Sequence, residues 1–450
     1  MAGGTADQGR LDLDLSTTDP IPAEPTGGAG SDRLGLPVGS RVVRVLPDLA
    51  AIDRPFDYLV PPAWADDGRG ERLVVGSRVR ISLAGRRVGG WVLEDNVVPP
   101  PGVELRQLTK SSGLGPSSEV IDLARWASHR WAGRLNGLLG TASPSNVVES
   151  LPRPPPRPTV QPTVNTWGMR AFQVQQTIVR LPPDADVVPL AIEAARKGDA
   201  LVLLPTVSAA EKMAARLHSK GLPVSLAQRQ WAQSASGGLV VGSRSAALAP
   251  VGNLAAVVVV DEHDENYQEE RAPTWHARDL AIERARRAGI PCVLTSPSPS
   301  LEALEWGELV VPSRKEERDG WPILDLHDRR DDDPMRSGLL GPRLVEILRG
   351  AEGDPVVCVL NRRGRSRLLA CNACGSLVRC SEHQVPLIQE DEDMLSCPVD
   401  GARRPQVCDE CGASRFKNLR AGVARLREEL EALAGRPALE VTGDTDVTDG

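Results

Sequence analysis

Cysteines cluster late in the sequence, at a spacing that suits a metal ion. Six of the eight cysteines fall between residues 371 and 411. They stand, with one histidine, as Cys371-x2-Cys374, Cys380-x2-His383, a lone Cys397 and Cys408-x2-Cys411. Two ligands three positions apart lie on one turn and face the same side, and two such pairs supply the tetrahedral shell that zinc prefers. The sequence therefore predicts a zinc-binding region at 371–411.

The cysteine pairs have two other interpretations, a redox-active Cys-x-x-Cys pair or unpaired surface residues. The βαβ context of a thioredoxin-type motif is absent around them, which favours metal binding. No signal-peptide pattern and no apolar run of the roughly 18–20 residues of a membrane span are present, so we expect a cytoplasmic chain with reduced thiols. Cys292 and Cys358 lie inside apolar segments and are predicted core residues.

Composition is that of an ordinary globular protein with no overall attraction to nucleic acid. The 450 residues give room for about three domains, and 41% are hydrophobic and 25% charged. The formal charge of −7 means that any nucleic-acid contact must come from local basic patches. Only six of the 53 basic residues are lysine. Arginine forks suit phosphates and base edges, but the base composition of the genome could equally cause this bias.

Three segments precede the α/β part of the chain. Residues 1–40 are rich in Gly, Asp, Pro, Thr and Ser without a periodic apolar pattern, which predicts a disordered tail. Short Val-rich runs broken by Pro and Gly predict a small β barrel or sandwich at 41–109. In segment 110–165 we expect a helix over 118–140, with Val120, Leu123, Ala127 and Trp131 on one face, and then a proline-rich linker.

The remaining chain alternates between strands and helices. In 166–335, helices are predicted at VPLAIEAARKG, SAAEKMAARLHSKG and RDLAIERARRAG, and strands at ALVLLP, GLVVGS, LAAVVVVDE and IPCVLTS, while AFQVQQTIV is a strand or a short helix. Continuous apolar strands between amphipathic helices indicate a parallel sheet covered on both faces. Residues 336–450 begin a second α/β unit, with predicted strands PVVCVLN and ALEVTG, a helix at 421–435 and the cysteine region between them.

Ordered motifs across about residues 41–450 resemble the family of primosomal protein N′, the replication restart protein PriA. The stretches VVGSRSAALAP, DEHDENYQEERAPTWHARDLA and LTSPSPSLE resemble the family's GTRSA, DEEHD-x-x-Y…HARD and SATPSLE motifs. The stretch LVLLPTVSAAEKM resembles the family's strand and helix that follow the P-loop. The stretch LNRRGRSRLLACNACG resembles the segment that leads into the family's cysteines. The stretches DRPFDYLVP and VVGSRVRISLAGRRVGGWVLE resemble the domain that captures the 3′ end of a nascent strand.

The resemblance implies a multidomain α/β fold. It consists of a small N-terminal β domain, a helical (winged-helix-like) segment, a parallel α/β lobe like that of P-loop NTPases but lacking the P-loop, and a partial second lobe with a zinc-binding insertion. The family's eight ligands form two interleaved zinc sites. The outer site would be Cys371, Cys374, Cys408 and Cys411, and the inner site Cys380, His383, Cys397 and Asp400, where His and Asp replace cysteines and Asp is the harder ligand.

The resemblance also implies a pocket for the 3′-terminal nucleotide, formed by Phe56, Asp57, Tyr58, Gly76 and Arg106. In it an aromatic ring stacks, the aspartate accepts from the 3′-hydroxyl, and the glycine lets the backbone approach closely. The alternative is an ordinary barrel core with a buried Phe56 and an Asp57 that caps a turn. Further arginines predict a phosphate track or a solvated face: Arg78, Arg80, Arg86, Arg87, Arg362, Arg363, Arg365 and Arg367.

The lobe departs from the family where nucleotide chemistry should occur. A P-loop holds phosphates with glycine-freed backbone N–H groups, a lysine, and a Ser or Thr on magnesium. Between Ala171 and Arg196 the sequence has no glycine and no lysine, and Asp184 and Asp186 would repel phosphate. The phosphate site is therefore predicted to be lost.

The acidic motif is altered as well. It reads Asp261, Glu262, His263 and Asp264, with Val260 where the family has its magnesium-binding Asp. A shifted Asp261 could still bind metal, or the segment is a structural relic at a strand end. The family's SAT triplet is replaced by Ser296-Pro297-Ser298. The chain stops at Gly450, so we expect either a fragment or a short second lobe.

These features predict a replication restart protein that binds stalled or abandoned forks and promotes primosome assembly and reloading of the replicative helicase, without helicase activity. Zinc is the expected cofactor. The expected partners are branched DNA, primosome proteins, the helicase loader and single-stranded DNA-binding protein, in the cytoplasm at the nucleoid and not at a membrane. The alternatives are an ATP-dependent 3′–5′ helicase with a non-standard nucleotide site and, less favoured, a zinc-dependent redox or interaction module.

Overall fold

The structure is a computed structural model. It describes residues 40–100, 103–156, 166–328, 340–350, 355–359, 369–391, 394–418, 423–439 and 441. The expected disordered tail, apart from residue 40, and the arginines at 362–367 lie outside these residues. The chain divides into two compact units, one up to Pro322 and one from Ile323 onward.

The first unit begins with a six-stranded sheet in the order β5-β2-β1-β4-β3-β6. Its elements are β1 Val42–Pro47, β2 Phe56–Leu59, α1 Ala63–Asp66, α2 Arg69–Arg72, β3 Arg78–Leu83, β4 Arg86–Asp95, β5 Arg106–Gln107 and β6 Lys110–Ser111. Ala84 and Gly85 both have positive φ between β3 and β4, as a tight hairpin with the right twist requires. The sequence left a small barrel or a sandwich open, and the six strands described here join in a single hydrogen-bonded sheet.

A β-bulge decides which side chains face which side of this sheet. Val45 of β1 pairs with Val92 of β4, but Arg44 pairs with Glu94, so Leu93 is the extra residue. Val45 and Val92 lie in the core of the β domain with Val43. Because successive strand residues alternate, Arg44 and its partner Glu94 face the opposite side.

Two helices follow, α3 Ser118–Arg130 and α4 Leu135–Ala142. The hydroxyl of Ser117 accepts from the N–H of Val120 and caps the start of α3. The prediction of one continuous helix over 118–140 is wrong at its centre, because Ala132 has φ +47° and Gly133 donates its N–H to the carbonyl of Ser128. A Cβ on Gly133 would lie 2.0 Å from Pro273, so the turn fits against the following lobe only with glycine there.

The rest of the first unit is a seven-stranded sheet with helices on both faces. Its elements are α5 Thr166–Arg170, β7 Gln176–Arg180, α6 Val188–Lys197, β8 Asp199–Leu203, α7 Val207–Ser219, β9 Val224–Leu226, α8 Trp231–Ser236, β10 Leu239–Gly242, β11 Leu254–Val259, α9 Ala277–Ala288, β12 Cys292–Ser296, α10 Leu301–Trp306, β13 Glu308–Val310 and α11 Arg314–Gly320. The order is β13-β7-β12-β11-β8-β10-β9, with every pairing parallel.

Alternate residues of these strands enter two different cores. Leu201 and Val257 pack on the side of α3, α4 and α9. Val202 and Val258 pack on the side of α5, α6 and α7. The predicted parallel sheet with two covered faces is therefore confirmed, and the segment AFQVQQTIV supplies a strand from Gln176 onward.

A buried ion pair joins the helical segment to this lobe. The guanidinium of Arg284, in α9, is fully buried and donates to both carboxylate oxygens of Glu119, in α3, at 2.9 and 3.0 Å. Its remaining amino group donates to the backbone carbonyls of Ala247 and Ala249 at 3.2 and 2.8 Å. All three guanidinium nitrogens are thus used at the contact between the two elements.

The second unit contains α12 Pro342–Gly350, β14 Leu369–Cys371, β15 Ile388–Asp391, β16 Met394–Ser396, β17 Arg403–Pro405, β18 Phe416–Asn418 and α13 Val423–Ala434. Its strands form two small sheets, β14-β18 and β15-β16-β17. The strands predicted at PVVCVLN and ALEVTG are wrong for their described residues, 355–359 and 438–439 with 441, where the backbone makes no ladder and Val359 is 91% exposed. Across the residues described in both units, no helix is long and apolar enough to cross a bilayer.

Replacing Glu119 with alanine should lower the free energy of unfolding by about 3 kcal/mol, because a fully buried guanidinium would lose its carboxylate. Chemical denaturation measures this loss. Asp122→Ala is the matched control, since Asp122 lies on the exposed side of the same helix and its pair with Arg125 should contribute less than about 0.5 kcal/mol. Equal, small losses in the two variants would contradict the role given to the Glu119–Arg284 pair.

Candidate functional sites

Four turns of the same geometry hold the cysteine region, and we call them the cysteine turns. Each begins with a cysteine whose carbonyl accepts from the N–H four residues later and whose N–H donates to the carbonyl five residues later, at 2.8–2.9 Å. In each, the residue four positions after the cysteine has a left-handed φ, between +55° and +77°. The cysteine turns begin at Cys371, Cys380, Cys397 and Cys408.

The fourth residue of each cysteine turn holds an equivalent position. These residues are Cys374, His383, Asp400 and Cys411. His383 and Asp400 therefore stand where the other two turns place a second cysteine, each directly before a left-handed residue. Their backbone setting is that of a ligand position, which the sequence alone does not reveal for an isolated Cys-x2-Asp.

The four cysteines of the first and last turns come together. The sulfurs of Cys371 and Cys411 are 3.5 Å apart, those of Cys374 and Cys408 are 3.7 Å apart, and all four lie within 4.8 Å of one another. Four thiolates about 2.3 Å from a tetrahedral zinc would be about 3.8 Å apart. A hydrogen bond with the Ser376 hydroxyl, 3.2 Å long, lowers the pKa of Cys374 to about 6 and favours the thiolate that binds metal.

The two middle turns form a second cluster with a different ligand set. Nδ1 of His383 lies 3.7 Å from the sulfur of Cys380 and 3.6 Å from that of Cys397. A carboxylate oxygen of Asp400 is 3.8 Å from the same nitrogen, and Glu382 lies within reach of both. The backbone N–H of His383 and its ring lower the pKa of Cys380 to about 7. Cys380, His383 and Cys397 lie within 4.8 Å of one another and are donors that zinc accepts, and Asp400 is grouped with His383 and Glu382 at that distance.

In the β domain, strand β2 carries three of the candidate pocket residues but does not place them on one face. Tyr58 is buried in the β-domain core, its hydroxyl donates to the carbonyl of Ser82 at 3.2 Å, and Phe56 packs on the same side with Arg54 over its ring. Asp57 faces the other side, where the guanidinium of Arg44 donates to both of its carboxylate oxygens at 2.9 and 3.3 Å.

The other two candidate pocket residues, Arg106 and Gly76, have different surroundings from the three residues of β2. Arg106 in β5 pairs in register with Tyr58 and lies on its side of the sheet. Gly76 has φ +93°, and a Cβ there would lie 1.8 Å from the carbonyl oxygen of Pro116. The close backbone approach at Gly76 is therefore made by this chain itself, which accounts for the glycine without a ligand.

The basic residues of the β3–β4 hairpin partly share a face. Arg78 and Arg80 alternate along β3, and Arg87 stands opposite Ser82 in the same set, so these three point to the side on which Arg44 lies. Arg78 pairs with Asp48 at 3.0 Å, while Arg80 and Arg87 are exposed. The hairpin thus presents exposed guanidinium groups in a row.

In the lobe, a carboxylate of the chain lies at the start of the helix that follows β7. The loop after β7 leads into α6, and Oδ1 of Asp186 accepts from the N–H of Val188 at 2.9 Å and from Arg216 at 2.8 Å. The free N–H groups at the start of a helix are the groups that bind phosphate in nucleotide-binding folds. Here Asp186 engages the first of them.

The altered acidic motif is tied into the fold by its own side chains. Glu262 is fully buried, pairs with Arg278 at 2.8 Å and accepts from the N–H and hydroxyl of Ser300 at 2.7 and 3.0 Å. His263 bonds the Ser296 hydroxyl at 2.8 Å. Sequence reasoning did not assign Arg278 or Ser300 a role, although both lie in the HARD and SPSLE stretches that flank the motif.

The two outer residues of the motif have local roles. Asp261 has φ +52°, and burial raises the pKa of its carboxyl group. Oδ1 of Asp264 accepts from the N–H of Asn266 at 2.8 Å and caps a short 3-10 turn. The structure thus brings the four motif residues together at the end of β11, with contacts that belong to the fold.

Comparisons with known proteins agree with this architecture. Residues 44–144, which span the six-stranded sheet and both following helices, match the family model of the PriA 3′ DNA-binding domain. The chain is similar to the replication restart protein PriA. It is 29% identical to the probable replication restart protein PriA of Mycobacterium tuberculosis H37Rv over 446 residues, which is 88% of this chain and 67% of that protein.

Shorter alignments show similarity to PriA proteins of other bacteria. The replication restart protein PriA of Haemophilus influenzae is 30% identical over 214 residues, 45% of this chain and 29% of that protein. That of Bacillus subtilis is 29% identical over 262 residues, 52% of this chain and 32% of that protein.

Metal analysis of the purified protein should give about two zinc ions per chain, because one cluster offers four thiols and the other offers Cys380, His383 and Cys397, with Asp400 as the proposed fourth ligand. Asp400→Ala should reduce the value to about one and leave the four-cysteine site filled. Asp409→Ala is the matched control, since Asp409 is an exposed neighbour that pairs with Arg404 and points to neither cluster. A value near zero for the unaltered protein would refute both sites, and an unchanged value in Asp400→Ala would refute Asp400 as a ligand.

Proposed function

We propose that this protein binds DNA at stalled or abandoned replication forks and promotes primosome assembly and reloading of the replicative helicase, without acting as a helicase. The observation that carries the proposal is the match of residues 44–144 to the PriA 3′ DNA-binding domain within a chain that is similar to PriA over 88% of its length. Branched DNA, primosome proteins, the helicase loader and single-stranded DNA-binding protein are the proposed partners, in the cytoplasm at the nucleoid.

The proposed DNA site is the β domain. Asp57, about one-tenth exposed, would accept a hydrogen bond from the 3′-hydroxyl of the terminal nucleotide, with Phe56, Tyr58, Gly76 and Arg106 shaping the surrounding strands. The exposed guanidinium groups of the β3–β4 hairpin would contact the phosphate backbone, which supplies most of the affinity of such proteins without reading sequence. The negative overall charge makes such a local arginine row necessary for DNA contact.

Zinc is the proposed metal of both cysteine clusters, where it would hold the cysteine turns in place. Cys371, Cys374, Cys408 and Cys411 would bind one ion, and Cys380, His383, Cys397 and Asp400 the other. A structural zinc site supplies folding free energy to a small region with little apolar core. We propose that this region, once folded, contacts DNA or primosome partners, and that the lobe serves as the platform for the β domain.

Two contacts support the absence of a motor. Asp186 occupies the start of α6, so a phosphate there would meet a like charge, and no lysine lies nearby in sequence to offset it. Glu262, which would assist hydrolysis in a motor, has its oxygens occupied by Arg278 and Ser300. A helicase lobe needs the start of this helix and the glutamate free, so that they can contact a nucleotide and its magnesium ion.

Purified protein should show no DNA-stimulated ATP hydrolysis above background, because Asp186 occupies the start of α6 and the oxygens of Glu262 are bound by Arg278 and Ser300. The assay is phosphate release with and without forked DNA. Turnover that disappears in Glu262→Ala would favour the second candidate, an ATP-dependent 3′–5′ helicase with a non-standard nucleotide site. Turnover that persists in that variant would point to a contaminating ATPase, and repurification then decides.

Binding of a fork should depend on the chemical state of the 3′ end. A hydrogen bond to a charged group contributes about 1.5–3 kcal/mol, so a free 3′-hydroxyl should bind about tenfold more tightly than a 3′-phosphate or a dideoxy end. Asp57→Ala should abolish this preference, and Asp67→Ala, an exposed aspartate of the same domain, should keep it. Equal affinity for free and blocked ends in the unaltered protein would remove the 3′-end site from the proposal.

A further inference from the structure

Asp57 belongs to a ladder of alternating charges that crosses three strands and reaches a helix. Arg44 stands directly opposite Asp57 in the β1–β2 pairing and opposite Glu94 in the β1–β4 pairing. Its third nitrogen donates to Oε2 of Glu94 at 2.8 Å. The other oxygen of Glu94 accepts from Arg125 of α3 at 3.2 Å. The bulge at Leu93 is what brings Glu94 to this face.

The ladder fixes the orientation of the Asp57 carboxylate. Nε and one amino group of Arg44 bond the two oxygens separately, at 2.9 and 3.3 Å, and this two-point contact sets the plane of the carboxylate as well as its position. Glu94 restrains the guanidinium from its other side. The Asp57 and Arg44 side chains are therefore already ordered, so they lose little further conformational freedom when a ligand binds.

The same contact leaves acceptor capacity for a ligand. A carboxylate offers about four lone-pair positions, two on each oxygen, and Arg44 uses one on each. Asp57 is 10% and Arg44 30% exposed, so the pair lies at the surface and not deep in the core. The remaining lone pairs of the carboxylate suit a hydroxyl donor.

We propose that Arg44 is a positioning residue that aims Asp57 at the terminal 3′-hydroxyl and thereby determines the preference for a free 3′ end. The proposal rests on the 3′-end site of the proposed function. Arg44 acts through Asp57, with Glu94 and Arg125 holding Arg44. The preference for a free end, and not the overall affinity for DNA, is therefore the quantity that depends on Arg44.

The test compares the affinity of each variant for one single-stranded oligonucleotide with a 3′-hydroxyl or a 3′-phosphate end. Arg44→Ala should lose most of the preference for the free end while Asp57→Ala loses all of it. Arg44→Lys should be intermediate, because an ammonium keeps the charge but not the two-point fork. Arg41→Ala is the matched control, since Arg41 makes a similar two-point pair with Asp95 nearby and should leave the preference unchanged.

The outcomes separate this inference from the proposed function. An unchanged preference in Arg44→Ala, together with its loss in Asp57→Ala, would overturn the role of Arg44 and leave the 3′-end site standing. An unchanged preference in Asp57→Ala would overturn the site itself. An equal loss of the preference for the free end in Arg41→Ala would show that the assay reports the stability of the domain and not the orientation of Asp57. If Arg44→Ala does not fold, Arg44→Lys decides, and an unchanged preference there overturns the proposal.

Discussion

The first unit depends on a buried arginine that lies between its two main parts. Arg284 extends from the lobe into the interface with α3, and its guanidinium is satisfied only because Glu119 and two backbone carbonyls meet it there. Farther along the same helix, Arg125 bonds Glu94 of the β domain. Helix α3 thus contacts the lobe at one end and the β domain in its middle. Loss of Glu119 would leave an unpaired buried charge, which a protein of ordinary stability tolerates poorly.

In the lobe, side chains at the carboxyl edge of the parallel sheet bond one another and the backbone. Asp186 accepts from the first N–H of α6, and Glu262 is bound to Arg278 and Ser300. These contacts stabilise the carboxyl edge of the sheet without a ligand. A lobe arranged in this way is suited to hold the β domain in a fixed position, which is the role we propose for it.

Much of this structure follows from the sequence because its signals are local. Continuous apolar strands between amphipathic helices indicate a parallel sheet, and cysteines three residues apart indicate a metal site. The strands expected at PVVCVLN and ALEVTG failed for their described residues because β propensity forms a strand only where a neighbouring strand completes the ladder. The break in the helix at Ala132 is followed by Gly133, which packs closely against Pro273, a contact between residues far apart in the chain.

The same difference between local signals and long-range contacts applies to the candidate sites. The sequence, through family resemblance, named Asp57 and Asp400, but not what surrounds them. The pairing of Asp57 with Arg44 depends on strand register, and the approach of Glu94 depends on a bulge of one residue at Leu93. Asp400 becomes a convincing ligand position only when its turn is compared with the three other cysteine turns. The bulge and the equivalence of the turns are properties of the folded backbone, which apolar periodicity alone does not encode.

Recognition of a DNA 3′ end by the β domain is tested most directly by a crystal structure of the complex. The ligand is a single-stranded oligonucleotide that ends in a 3′-hydroxyl. We expect the terminal oxygen within hydrogen-bond distance of the Asp57 carboxylate, with the Arg44–Asp57 pair intact. A terminal nucleotide bound elsewhere, with Asp57 contacting Arg44 alone, would contradict it.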